Sequence, residues 1–173
     1  MQKDKLDLLI SKNEIEKVLD KLAHLLNADY QKKNVIIVSI LKGSFLFSAD
    51  LVRKLHFNFI IDFVRLSSYH NLKESTGTVT LTKDIECDIA GKHVLILEEI
   101  LDSGMTLDFL LKRFAANDPL SVKICVLLDK KEKRRIPIHA DYVGIEIEDK
   151  FVVGYGLDYQ EKYRNLPDIY HLK

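Results

Sequence analysis

Ile15, Val18, Leu19, Leu22, Leu25 and Leu26 recur every three or four residues, which predicts an amphipathic helix over about 13–28. Ser11-Lys12-Asn13-Glu14 stands at its start with the spacing of a capping box. The pattern then changes. Val35-Ile36-Ile37-Val38-Ser39-Ile40 is a near-continuous β-branched run, as expected for a strand buried on both faces. A Lys42-Gly43-Ser44 break follows, then a helical stretch over 45–56 and a strand over 59–65. Residues 67–77 are polar and aperiodic and read as a loop. A β-excursion is expected over 78–83 and 86–89, a buried strand over 93–97, a loop over 98–105, and a helix over 106–116 that stops at Asp118-Pro119. Strands are expected again over 122–128, 142–147 and 151–153, with a charged loop over 129–135. Alternating strands and helices with uniformly apolar strands imply an α/β fold, a mostly parallel twisted sheet flanked by helices. In such sheets ligands bind beyond the carboxyl ends of the strands.

Composition narrows the function classes. The 173 residues, without linker or repeat, suit one domain over 1–173. Lys and Arg number 26 and Asp and Glu number 26, so the chain lacks the positive excess of a general nucleic-acid or anionic-membrane binder. The run Lys130-Lys131-Glu132-Lys133-Arg134-Arg135 is therefore expected to be a solvated loop rather than a phosphate-contacting patch. No apolar run approaches the ~18 residues of a membrane span. The charged start is unlike a signal peptide, and Cys87 and Cys125, far apart in sequence, read as reduced thiols. A cytoplasmic location is expected. The six histidines show no zinc-ligand spacing.

One segment carries most of the chemistry. In Val94-Leu95-Ile96-Leu97-Glu98-Glu99-Ile100-Leu101-Asp102-Ser103-Gly104-Met105-Thr106, an apolar strand runs into two carboxylates and then a third, which opens a loop of small residues before a helix. Gly104 permits a tight turn, Ser103 and Thr106 carry hydroxyls, and the first amides of a helix have no helical partner. Together these suit a phosphate monoester. The carboxylates would repel phosphate, so they point to a ligand that also carries hydroxyls or a divalent cation, as a phosphorylated sugar does. Asp102 and Ser103 acting only as helix caps is the plainer alternative; the acidic pair tips the balance against it.

This segment resembles the phosphoribosyl-diphosphate signature of type I phosphoribosyltransferases, with Glu99 where many members have Asp and Met105 at the variable loop position. The resemblance extends over about 35–165. Leu41-Lys42-Gly43-Ser44-Phe45 is similar to the diphosphate loop of the hypoxanthine-guanine branch, in which the peptide before the lysine is often cis. Arg65-Leu66-Ser67-Ser68-Tyr69 resembles the start of the catalytic flap, and Asp149-Lys150-Phe151-Val152-Val153-Gly154-Tyr155-Gly156-Leu157-Asp158-Tyr159 the purine-binding tail.

The resemblance implies a small hood built from the terminal segments, a flexible β-flap, and a homodimer or homotetramer. It implies transfer of the 5-phosphoribosyl group from phosphoribosyl diphosphate to N9 of an oxopurine, through an oxocarbenium-like transition state, with Mg²⁺ as cofactor. It assigns Asp102 as acid/base at purine N7, and residues 102–106 (Asp102, Ser103, Gly104, Met105 and Thr106) to the 5′-phosphate. Lys42, Gly43 and Arg164 fall to diphosphate, and Glu98 and Glu99 to the ribose and metal side. Asp158 joins the metal ligands, Ser68 and Tyr69 form the flap, and Lys130, Phe151 and Val152 hold the purine. A lysine facing the 6-position donates to an oxo group and finds no acceptor on a 6-amino group. Two other readings keep the same fold: a nucleotide-sensing regulator and a xanthine-preferring relative.

Overall fold

The computed structural model describes residues 5–68 and 79–173. Its centre is a sheet of order β4-β3-β2-β5-β6-β7. The strands are β2 (Val35–Leu41), β3 (Phe59–Ser68), β4 (Val79–Lys83), β5 (His93–Leu101), β6 (Ser121–Asp129) and β7 (Tyr142–Glu146). All neighbours run parallel except β4, which returns antiparallel to β3 as the flap stem. Helix α1 (Lys12–Tyr30) and α2 (Phe45–Val52) cover one face, and α3 (Met105–Ala115) covers the other. Alternation along β2 sends Val35 and Ile37 to the first core and Ile36, Val38 and Ile40 to the second. Burial on both faces is why that strand is apolar nearly throughout.

The termini form a separate antiparallel sheet, β1 (Leu6–Ile10), β9 (Ile169–Leu172) and β8 (Val152–Val153), in the order β1-β9-β8. This is the hood implied by the resemblance. Lys12 N donates to Asp168 Oδ1 at 2.7 Å, tying the start of α1 to the chain end. Ser11 and Glu14 form the expected capping box.

Several boundaries differ from the sequence pattern. α2 stops at Val52, short of residue 56. The side chain of Asn27 accepts from His56 N and donates to Lys54 O, at 2.7 and 3.0 Å, and takes over the backbone groups that a longer helix would have paired. Residues 86–89 form no strand. Asp62 Oδ2 instead accepts from Glu86 N and Cys87 N at 2.6 and 3.1 Å. Burial opposes the charge on Asp62, but its amide donors outweigh that and hold its pKa down at about 2. β5 extends through residues 98–101, expected as loop, because its ladder with β6 continues from Glu98↔Val126 to Leu101↔Asp129. Among the described residues no helix is long and apolar enough to cross a membrane.

Candidate active site

The parallel sheet brings the carboxyl ends of β2, β5 and β6 side by side, with Ser39 beside Leu97 and Leu101 beside Asp129. Residues 42–44, 102–104 and 130–136 thus emerge along one edge. β5 reaches that edge with its acidic pair in alternation. Glu98 lines a small pocket of about 70 Å³ with Leu101, Asp102, Ser103, Gly104 and Thr106. Glu99 lies against Gly43 on the other side. A Cβ on Gly43 would sit 1.7 Å from Glu99 Oε1, so only glycine fits there unless the carboxylate moves.

Both carboxyls are held in an unfavourable state. Glu98 is buried, Glu99 is half-buried, and the Oε2 atom of each is shielded from solvent without a hydrogen-bond partner. Burial, reinforced by the neighbouring charge of Glu99, pushes Glu98 well above the ordinary carboxyl range. Burial likewise raises Glu99, while the nearby Arg164 charge opposes the rise. Orphaned buried oxygens of this kind suit sugar hydroxyls or a hard cation.

Beyond β5, Gly104 adopts φ +85° at the N-cap of α3, and Ser103 Oγ accepts from Met105 N at 3.4 Å. The pocket at this turn is large enough for a small anion, given that one water centre needs roughly 10–15 Å³. Asp102 is half-buried. Its carboxylate has no hydrogen-bond or ion-pair partner among the described residues, which leaves it available to a ligand.

On the opposite side the Leu41–Lys42 peptide is cis. Lys42 Nζ and Arg164 Nη2 both pair with Glu161 Oε2, at 2.9 and 3.2 Å. Arg164 also pairs with Asp158 Oδ1 at 2.8 Å, and Asp158 Oδ2 accepts from Glu161 N at 2.9 Å. The tail rests on the loop: a Cβ on Gly156, at φ +97°, would lie 2.1 Å from Gly43 O. Lys42, Gly43 and Arg164, expected at the diphosphate, therefore meet Asp158 and Glu99 of the expected metal residues, while Glu98 faces the pocket at 101–106.

The purine residues come from the third side. Phe151 is 51% exposed and its ring lies edge-on to Tyr159, with centroids 5.7 Å apart, so one face is open for stacking. Val152 is buried in β8. Lys130 is 6% exposed, yet its ammonium has no hydrogen-bond or ion-pair partner among the described residues. The expectation of a solvated loop over 130–135 holds at Lys131, Glu132, Lys133 and Arg135, which are exposed, and is corrected at Lys130 and Arg134. Lys130 is buried, a short 3₁₀ turn covers Lys131–Lys133, and the Arg134 side chain packs inward as the partner of Asp129. Ser68 ends β3 opposite Val79, and Tyr69 lies outside the described residues.

Some contributors escaped the sequence reading. Glu161 stands midway between Asp158 and Arg164, at a three-residue spacing visible only once their roles are assigned. Ser39, Ser44 and Ser48 are fully enclosed beneath the Lys42-Gly43 loop. Ser39 Oγ lies 2.7 Å from each of the other two hydroxyls, and Ser44 Oγ donates to Ile40 O at 2.6 Å. A lone serine inside the β2 run was the available signal.

The model of a family described as "Phosphoribosyl transferase domain" matches residues 8–160. A hypoxanthine-guanine phosphoribosyltransferase of Streptococcus pneumoniae is 46% identical over 173 residues, covering 100% of this chain and 96% of that protein. The chain belongs to the phosphoribosyltransferase family. A second protein of that name, from Staphylococcus epidermidis, is 43% identical across 100% of this chain and 97% of its own length. A solved hypoxanthine-guanine phosphoribosyltransferase of Bacillus anthracis, with a HEPES molecule in its active site, superposes with TM-score 0.92 at 44% identity. That match covers 99% of this chain and 100% of the other. In this phosphoribosyltransferase the donors at the edge fit a hard divalent ion. They are carboxylates, with orphaned oxygens at Glu98 and Glu99. Among the described residues no group of three or more His, Cys, Asp or Glu forms a metal cage. An ion here would take one or two carboxylates and its other oxygens from the ligand.

Proposed function

We propose that this phosphoribosyltransferase salvages purines by transferring the phosphoribosyl group of phosphoribosyl diphosphate to N9 of hypoxanthine and of guanine. Diphosphate is released and the nucleoside monophosphate is formed. The observation that carries the reading is the convergence of an unpaired buried lysine, an open aromatic face, an unpaired aspartate and a paired-cation cluster around one acidic strand end. The full-length relatives named hypoxanthine-guanine phosphoribosyltransferase support it.

Each residue then has a task. Phe151 stacks on the base, Val152 offers its backbone to the base edge, and Lys130 donates to the 6-oxo group. Residues 103–106 hold the 5′-phosphate on amides and hydroxyls. As the C1–diphosphate bond breaks, positive charge builds on the sugar and negative charge on the leaving group. Lys42, the loop at Gly43 and Arg164 donate to that leaving group. Asp102 accepts the N7 proton as the base becomes a nucleotide. Glu98 and Glu99 orient the ribose hydroxyls. Glu99 and Asp158, with Glu98 nearby, would hold Mg²⁺, which would supply charge neutralisation for the leaving diphosphate. Ser68 and Tyr69 shield the reacting centre from water. Residues 1–173 act as one domain, in the cytoplasm, as a homodimer or homotetramer.

The test is diphosphate release with Mg²⁺, the phosphoribosyl donor and each base in turn. Turnover with hypoxanthine and guanine and none with adenine is expected, and Lys130→Ala is expected to erode that preference. Turnover with xanthine alone, or ligand binding without turnover, contradicts the reading.

A further inference from the structure

We propose that Arg134 is a positioning residue that aims the 5′-phosphate loop, so that the segment reading the base also sets the phosphate site. The inference rests on the reading of residues 102–106 as the phosphate cradle.

Two peptide units of that loop are fixed from the 130–136 segment. Lys130 N donates to Leu101 O at 2.9 Å, and Arg135 N and Ile136 N donate to Ser103 O at 3.0 and 3.2 Å. A trans peptide places its carbonyl and its N–H on opposite sides. Holding the Leu101 and Ser103 carbonyls on one side therefore turns the Asp102 and Gly104 N–H groups to the other. The loop cannot do this alone, since Gly104 at φ +85° has wide backbone freedom.

Lys131, Glu132 and Lys133 tie the 130–136 segment to Glu146 and Asp149 at the exposed surface, and Arg134 holds it from within. Arg134 Nη2 pairs with Asp129 at the end of β6, and the two side chains are only 14% and 6% exposed. Its Nη1 donates to Ile138 O at 2.9 Å, so a single guanidinium spans both ends of the turn. Its stem packs on the loop: a Cβ on Gly104 would lie 3.4 Å from Arg134 Cδ and 3.3 Å from Ile136 O. Arg134 Nε is buried without a hydrogen-bond partner. A buried arginine with an unmet donor is costly, and bracing the turn gives a reason for it to stand there. Lys130, next to Asp129, has its own main-chain hydrogen bond to Leu101 O, so it keeps its place without the Arg134 side chain.

Binding of guanosine and of GMP by calorimetry tests this. The ratio of their affinities reports the phosphate contribution, which a general loss of fold or of base binding does not move. In Arg134→Met the GMP affinity is expected to fall about tenfold or more, on the scale of a lost charge-assisted hydrogen bond, with guanosine changed less than about threefold. Arg134→Lys is expected to behave similarly, because one ammonium cannot span Asp129 and the Ile138 carbonyl; it also gives the answer if Arg134→Met does not fold. Thr106→Val serves as the control on the cradle itself. If it lowers the ratio and both Arg134 variants leave it intact, the positioning role is overturned while the cradle stands. If Thr106→Val also leaves the ratio intact, the cradle reading fails.

Discussion

Residues 101–106 and the Lys42–Arg164 cluster flank the same acidic strand end, yet they are held in different ways. The first is fixed by main-chain hydrogen bonds from 130–136 and a buried Arg134–Asp129 pair. In the second, Lys42 is held by an ion pair to Glu161, with Lys42 45% and Glu161 64% exposed, while Arg164 is also held by Asp158 and by donation to Gly156 O. Main-chain hydrogen bonds within a packed turn persist when a ligand arrives. Exposed ion pairs are weak and exchange readily, so an arriving anion can replace the Glu161 carboxylate. Under the proposed function, one side is thus built in advance for a phosphate that stays on the product. The other is held by a replaceable internal anion, which suits a group that enters and leaves in each cycle.

The contrast can be broken at several points. The largest effect is expected at Asp102, which lies on the main-chain-fixed side without a hydrogen-bond or ion-pair partner among the described residues. Asp102→Asn should lower kcat about 10²- to 10⁴-fold, the range of a lost acid/base group, while GMP affinity changes only a few-fold. Steady-state kinetics with parallel binding measurements check it; intact turnover removes Asp102 from the chemistry.

Gly43 sits between the two sides. The methyl of Gly43→Ala would meet the Glu99 carboxylate and force one of them to move. The KM for the phosphoribosyl donor should rise by about tenfold or more, with hypoxanthine KM much less affected. An equal rise for both substrates argues that the loop does not serve the diphosphate side alone.

The acidic pair gives a pH signature. Glu98 and Glu99 titrate above the ordinary carboxyl value of 4.5 in the folded chain. As pH rises past that value the unfolded chain releases protons that the folded chain retains, so this pair lowers stability towards neutral pH. Glu99→Gln should therefore raise the urea midpoint relative to the parent at pH 7 and leave it unchanged at pH 4, both in chelator. A midpoint difference that is the same at both pH values contradicts the assignment.

The smallest effect belongs to the replaceable side. Glu161→Gln should lower the donor KM by about two- to threefold at low ionic strength, with the difference fading in added salt as screening weakens the competing pair. A rise in KM instead makes Glu161 part of the binding surface rather than a stand-in for the leaving group.

Much of this was legible in the chain. The β2 run, the Ser11–Glu14 cap and the strand ending in Glu98-Glu99 each carry a local signal, because burial on two faces, capping and a strand-to-helix turn impose residue types at fixed spacing. The acidic pair and Asp102 were visible because carboxylates ending an apolar strand have no packing explanation. Residues 98–101 looked like loop because their pairing partner on β6 lies about thirty residues away, and local polarity says nothing of a ladder that continues.

What the sequence by itself determined is the order of the main helices and of the central strands from β2 to β7, the parallel sheet and the types of group at its edge, since periodicity and turn chemistry act over a few residues. Tertiary structure alone decided that Arg134 points inward to Asp129 and the Ile138 carbonyl and that Lys130 is buried, while Lys131, Lys133 and Arg135 in the same charged run face water. It alone decided that Glu161 closes on Lys42 across 119 positions, and that β1 pairs with β9 to close the hood. These contacts join groups far apart in the chain. Whether a charged side chain is solvated or buried depends on the partner that folding brings to it, and no local pattern records that partner.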